Sequence, residues 1–320
     1  MPGIDLAHAS GRHAVSRPRF GRLARAAREM KPAFPSSFTF ISDEVSQDPA
    51  VVVAFARRHG LAGFELRSMF GRQFRDLTPA DIREIRQRTN DAGMRVVGCA
   101  TPVFKCPLGL AHECEAHRDI FRRSVETAQA LDCRLLRVFT FLRRSERATD
   151  DDVARAAAEI NALLPLCPEG IRLGVENEAS CIVATGEEVG RFLRSDLAPQ
   201  VGIIWDPCNV LYVSSFTDVA TAGFASIGGK LAHVHVKDAC RERTGPAACP
   251  VGRGDVGWPA HFQEIAATGY AGLYSLETHW RRQALDQKEL HLPGGYGFSA
   301  GGEAASETCL AEIGRMVAGA

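Results

Sequence analysis

The sequence lacks the features that would send it to a membrane or a nucleic acid. Lys+Arg and Asp+Glu each number 38, so no net charge attracts a polyanion. No apolar run approaches the roughly 18–20 residues that cross a bilayer. The first residues hold no apolar core of a secretory leader. The ten cysteines include no C-x-x-C pair. Scattered through 320 residues, they read as reduced thiols of a cytoplasmic protein, not as a disulfide framework. Cys208 alone stands out, because it lies between two residues of interest below. No G-x-G-x-x-G follows the first strand candidate, which counts against a dinucleotide fold, and no glycine-rich phosphate loop stands out. A small-molecule ligand is therefore expected, with no nucleic acid and no membrane partner.

What is present is ordinary globular composition, 45% hydrophobic and 24% charged, at a length that suits one large barrel domain. Residues 1–37 differ from the rest. Arg12, Arg17, Arg19, Arg22, Arg25 and Arg28 are spread among Ala, Ser, Gly and Pro, which predicts a basic, disordered arm. From residue 38 the chain alternates short apolar runs with helix-period runs. Strands are predicted over 38–42, 63–67, 96–100, 135–139, 172–176, 201–205, 231–236 and 272–276. Helices are predicted over 49–59, 78–92, 116–131, 151–164, 187–193, 218–227, 259–268 and 303–317. The second helix opens on Thr78, Pro79 and Asp81, a cap followed by proline in the first turn. Eight such alternations predict an α/β fold, a parallel eight-stranded (β/α)8 TIM barrel over 38–320. An open doubly wound sheet is the alternative.

In such a barrel, chemistry sits at the C-terminal strand ends. The fifth strand candidate ends in Glu176, the sixth in Asp206 and the eighth in Glu277. The seventh carries His233 and His235 on one face, because side chains alternate with period two. A lone acid there is commonly a helix cap, and a lone histidine a core residue. Four in register on consecutive strands differ, because three buried carboxylates side by side are costly unless a cation neutralises them. An oxygen-rich set with one imidazole suits Mn²⁺ best, with Mg²⁺, Co²⁺ or Zn²⁺ compatible. Spacing alone does not choose between the two histidines.

The runs Gly174-Val175-Glu176-Asn177, Trp205-Asp206-Pro207-Cys208-Asn209, His233-Val234-His235-Val236-Lys237-Asp238, Gly252–Trp258 and Ser275-Leu276-Glu277-Thr278-His279 together resemble the xylose-isomerase-like barrel superfamily. That superfamily holds sugar-phosphate isomerases and epimerases, ketose 3-epimerases, inosose dehydratases and endonuclease IV. The resemblance covers nearly everything outside the basic arm. It implies metal ligation by Glu176, Asp206, His235 and Glu277, picking His235 over His233. It also implies acid–base work by Glu176 and Glu277 on opposite faces of a substrate carbon. One departure is Asn209, where ketose 3-epimerases carry a sugar-contacting His.

The expected activity is a divalent-metal-dependent isomerase or epimerase, acting on a sugar, sugar phosphate or keto-sugar through an enediolate. The alternative outcome on the same site is a dehydratase or lyase acting on a keto-sugar, keto-inositol or keto-glycoside. The expected substrate-binding set is Arg67, Lys105, Glu178, Asn209, His233 and Lys237, with Glu178 also a partner for His235. For Arg67 the bland alternative is a surface ion pair, and for Arg137 a buried structural cation. Asp43 and Glu44 read as helix capping, Trp258 and Phe104 as pocket walls, and 291–302 as a lid or interface loop. A homo-oligomer is allowed. An endonuclease-IV-like activity needs further His ligands, and the second and third strand candidates end in Arg67 and Ala100 instead. A non-catalytic sugar-binding subunit is the remaining alternative.

Overall fold

The computed structural model describes residues 34–213, 219–282 and 296–319. Residues 1–33 of the predicted arm lie outside the described residues. Residues 34–37, which the sequence groups with the arm, pack on the barrel. The Phe34 ring meets Phe38 edge-on at 5.5 Å, and Ser37 O accepts from Tyr274 N at 3.0 Å.

The eight barrel strands are β1 (Phe38–Phe40), β2 (Phe64–Leu66), β3 (Val96–Cys99), β4 (Leu135–Val138), β5 (Arg172–Glu176), β6 (Val201–Trp205), β7 (Leu231–Val236) and β8 (Tyr274–Leu276). From β2 to β8 each pairs in parallel with the next strand in sequence, and β8 pairs in parallel with β1. The β1–β2 seam has no ladder. It closes through an isolated Ile41–Glu65 bridge and a bond from Ala62 N to Phe38 O at 2.8 Å. The predicted barrel is thus observed, nearly closed, and every strand candidate is present.

The helices are α1 (Pro49–Arg58), α2 (Pro79–Asp91), α3 (Ala111–Ala130), α4 (Asp150–Asn161), α5 (Gly186–Leu193), α6 (Pro207–Leu211), α7 (Trp258–Ala267) and α8 (Gly302–Gly319). Capping boxes start three of them: Thr78 with Asp81, Thr149 with Asp152, and Thr185 with Glu188. The apolar core lies between sheet and helices, with Phe40 against Phe55 at 5.0 Å and Phe38 stacked on Tyr274 at 5.2 Å. No described helix is long and apolar enough to cross a membrane.

Three expectations need correction. The third helix begins at Ala111, before the predicted 116. The helix predicted over 218–227 is absent from its described part, 219–227, which holds turns and a 3-10 segment, Phe224–Ser226. Gly223 there has φ +83 and lies so close to α5 that an added Cβ would sit 2.6 Å from the Gly186 carbonyl carbon. That backbone contact replaces helical packing. Third, an antiparallel ribbon, Asp238–Glu242 with Gly245–Cys249, follows β7 where no strands were predicted. Of the predicted lid, 291–295 fall outside the described residues, and Gly302 opens α8.

Candidate metal centre

The barrel interior is charged at its C-terminal end. Strand alternation aims Glu65, Arg67, Arg137, Glu176, His233, His235 and Glu277 inward. Each of the seven is at most 5% exposed. Glu176, Asp206, His235 and Glu277 bring one ligand atom apiece to within 4.8 Å of one another. The predicted quartet therefore converges, and it does so through His235. The Nδ1 of that ring lies 3.0 Å from Glu176 Oε1 and 3.8 Å from Glu277 Oε2.

Cations balance the three carboxylates. Arg137 Nη1 donates to Glu176 Oε2 at 3.0 Å. Lys237 Nζ lies 2.7 Å from Asp206 Oδ2 and donates to Glu277 Oε2 at 2.7 Å. Arg67 Nη1 donates to Glu277 Oε1 at 2.6 Å. Burial alone would raise the Glu176 pKa, but His235 and Arg137 outweigh it and bring it down to about 2. Glu277 behaves likewise: burial opposes ionisation, yet Lys237, His279 and Arg67 hold it well below the usual range. At Asp206 burial wins over Lys237, pushing the carboxyl up to about 6. His235 is held well above its ordinary value, because Glu176 and Glu65 outweigh the burial that would lower it.

The donor set fits a divalent ion. Three carboxylates and an imidazole, all buried, are the ligands hard and borderline cations take. Asp206 splits its two oxygens between tasks. Oδ1 accepts from Asn209 N at 3.1 Å and caps α6. Oδ2 is buried and accepts no hydrogen bond among the described residues, with the Lys237 ammonium as its charged neighbour.

The other expected residues divide. Lys105 and Glu178 form a pair at 3.5 Å with side chains 16% exposed, the most open polar groups of the set. Lys237 is buried on the carboxylates. Asn209 turns its amide to Asn177 O at 2.8 Å and to Glu176 Oε1 at 3.4 Å. His233 lies two residues deeper than His235, 3% exposed, with Nε2 on Glu65 Oε1 at 2.5 Å. It is not at the rim. Arg67 is no surface ion pair: it is 5% exposed and also binds Asp43 and Glu44. Asp43 and Glu44 are fully buried and clamp Arg67 across the β1–β2 seam. They sit within a 3-10 turn, and the following helix is capped by Asp48, so the expected capping role is replaced by ion pairing.

Trp258 is fully buried and donates to Lys237 O at 2.8 Å, bracing the end of β7 from outside. Phe104 is also fully buried, stacked on Phe141 at 4.3 Å, so it backs the rim without lining an opening. Both phenylalanines hold positive φ, +62 and +64, a strained backbone of the kind that collects near functional sites. Burial pushes the Cys208 thiol well up, so it is an inert core group. All ten cysteines are free. Sequence reasoning missed Glu65, which the inward alternation of Glu65 and Arg67 on β2 would have flagged. An open groove of about 680 Å³ between α2 and α3 contains none of these residues.

Solved structures share the architecture. A zinc-binding IOLI protein superposes with TM-score 0.66 at 14% identity, covering 88% of this chain and 98% of that one. An L-ribulose 3-epimerase gives 0.65 at 17%, covering 88% and 95%. The probable 3-DHS dehydratase AsbF from Bacillus anthracis gives 0.61 at 16%, covering 88% and 98%. No curated protein matches the sequence. The family model for xylose isomerase-like TIM barrels matches residues 53–297. With that match over most of the chain, the protein belongs to the xylose isomerase-like TIM barrel family.

Proposed function

We propose that the protein is a divalent-metal-dependent isomerase or epimerase acting on a small carbohydrate bearing a carbonyl beside a hydroxyl. The observation that carries this is the convergence of Glu176, Asp206, His235 and Glu277 from four consecutive strands into one buried cluster. Mn²⁺ is the expected ion, with Mg²⁺, Co²⁺ or Zn²⁺ compatible. Bound among these residues, the ion supplies Lewis-acid stabilisation of the oxyanion that forms beside the reacting carbon.

The chain's own groups supply the rest. Glu277 or Glu176 takes the proton next to the carbonyl, and the other returns a proton to the opposite face. The C–H electrons pass into the carbonyl to give an enediolate and flow back on reprotonation. The ion pairs hold both carboxylates as anions, the form a base needs. They are weak bases for the same reason, so proton removal depends on stabilising the oxyanion. The carboxylate that returns a proton must first take it up from solvent, and the one that accepted the substrate proton releases it to solvent to reset the site. Lys105 and Glu178, the more open pair, are placed to orient hydroxyls.

A dehydratase is the second reading, favoured by Asn209. It stands where ketose 3-epimerases carry a sugar-contacting His, and its amide is held by Asn177 O and Glu176 Oε1. There the same enediolate would expel a β-hydroxyl as water. Resemblance in fold to both an epimerase and a probable dehydratase is compatible with either.

The test is proton exchange in D2O, followed by NMR over ketoses, keto-inositols, keto-glycosides and sugar phosphates, with Mn²⁺ or a chelator. Metal-dependent deuterium uptake beside the carbonyl is expected, lost by about 10²–10⁴-fold in Glu277→Gln. Loss of water in the same tube would make it a dehydratase. Exchange that survives both the chelator and Glu277→Gln sinks the proposal.

A further inference from the structure

Below the rim cluster lie two buried groups that this chemistry does not use, Glu65 and His233. The Glu65 carboxylate crosses the barrel to β7. Its Oε1 meets His233 Nε2 at 2.5 Å, and its Oε2 lies 3.3 Å from His235 Nε2. The two nitrogens of His235 therefore face different things. Nδ1 faces the carboxylates of the rim, 3.0 Å from Glu176. Among the described residues, Nε2 faces Glu65.

Only one tautomer serves a metal in that geometry. A neutral imidazole carries one N–H, and the ligating nitrogen must be the other. Resting on the metal reading above, we propose that Glu65 is a positioning residue. It accepts the Nε2–H of His235 and so presents Nδ1 to the ion, while His233 fixes the carboxylate from its other side. A carboxylate behind a ligating imidazole also makes that ligand more basic.

The surroundings are built for this carboxylate. Gly98 on β3 lies against it: a Cβ there would sit 3.0 Å from Glu65 Cγ and 3.3 Å from Cδ. A second metal between Glu65, His233 and His235 fits less well. The 2.5 Å contact between Glu65 and His233 is a hydrogen-bond separation. Two ligands of one ion, each at ~2.1 Å, normally stand ~3 Å apart.

The experiment measures Mn²⁺ affinity and stoichiometry for the wild type, Glu65→Gln and Gly98→Ala, with circular dichroism as the check on folding. Glu65→Gln is expected to weaken binding about 10–100-fold. Gly98→Ala crowds the carboxylate without removing its charge, and is expected to weaken binding in the same direction even if Glu65→Gln does not fold. Histidine ¹⁵N NMR on the Zn²⁺-loaded wild type should show one ring ligated through Nδ1, with a protected Nε2–H that Glu65→Gln loses. Ligation through Nε2, two ions per chain, or unchanged affinity in both variants overturns the inference and leaves the metal centre standing. A wild-type chain that takes up no metal overturns both.

Discussion

The Lys237 ammonium lies 2.7 Å from Asp206 and 2.7 Å from Glu277, inside the carboxylate cluster. At this depth each charge has given up most of its hydration, and only mutual pairing offsets the loss. A divalent ion does the same work for the same carboxylates. Lys237→Met should therefore destabilise the metal-free protein by about 3–5 kcal/mol, the cost of leaving a buried charge unpaired. Added Mn²⁺ should restore much of it. The check is thermal unfolding of wild type and variant, each with chelator and with Mn²⁺. The metal-induced rise in Tm is expected to be larger in the variant; equal rises would show that Lys237 and the ion do not share a role.

Local chemistry decides where the helices start. Thr78 and Asp81 satisfy each other's backbone groups, with Arg72 on the Asp81 carboxylate at 2.9 Å. Thr78→Ala should cost about 1 kcal/mol. Burial would raise the Asp81 pKa, but the Thr78 N–H and hydroxyl and Arg72 outweigh it and lower it from 3.8. A lowered folded-state pKa means the stabilisation is complete above pH 3.8 and fades as pH falls below it. The stability gap between wild type and Asp81→Asn, read from urea melts, should thus shrink in acid. A gap that widens would contradict the capping account. At α6 the same logic meets the rim, because Asp206 is both the cap and a member of the quartet. The two oxygens of a strand-end acid allow both roles at once.

The barrel closes by charge where it lacks a ladder. At the β1–β2 seam, Arg67 of the β2 end binds Asp43 and Glu44 after β1 and Glu277 after β8. Removing the guanidinium leaves three buried carboxylates short of a partner. Arg67→Ala should cost about 3–5 kcal/mol. Amide hydrogen exchange should localise the effect: Ala62, bonded to Phe38 O, is expected to exchange faster in the variant, while the β5–β6 ladder changes little. Uniform acceleration across all strands would place the loss in the whole core instead of at the seam.

Much of this was legible in the chain. The strand candidates and the chemistry at the ends of β5–β8 follow from local patterns, because period-two alternation and turn residues are neighbours in sequence. The choice of His235 over His233 came from resemblance, and geometry alone places its Nδ1 among the carboxylates. What stayed hidden are relations between distant residues. Glu65 meets His233 across 168 positions and Arg67 meets Glu277 across 210. Alternation along a strand says that such a side chain points inward, but nothing local says which partner it meets. The absence of the helix predicted over 218–227 from its described part was hidden for a like reason, since the close approach of Gly223 to Gly186 is a contact between elements. The sequence by itself determined the order and spacing of the strands, and with them which residues reach the rim. Only the tertiary structure decided which charge neutralises which, because pairing in a barrel interior is set by closure of the sheet.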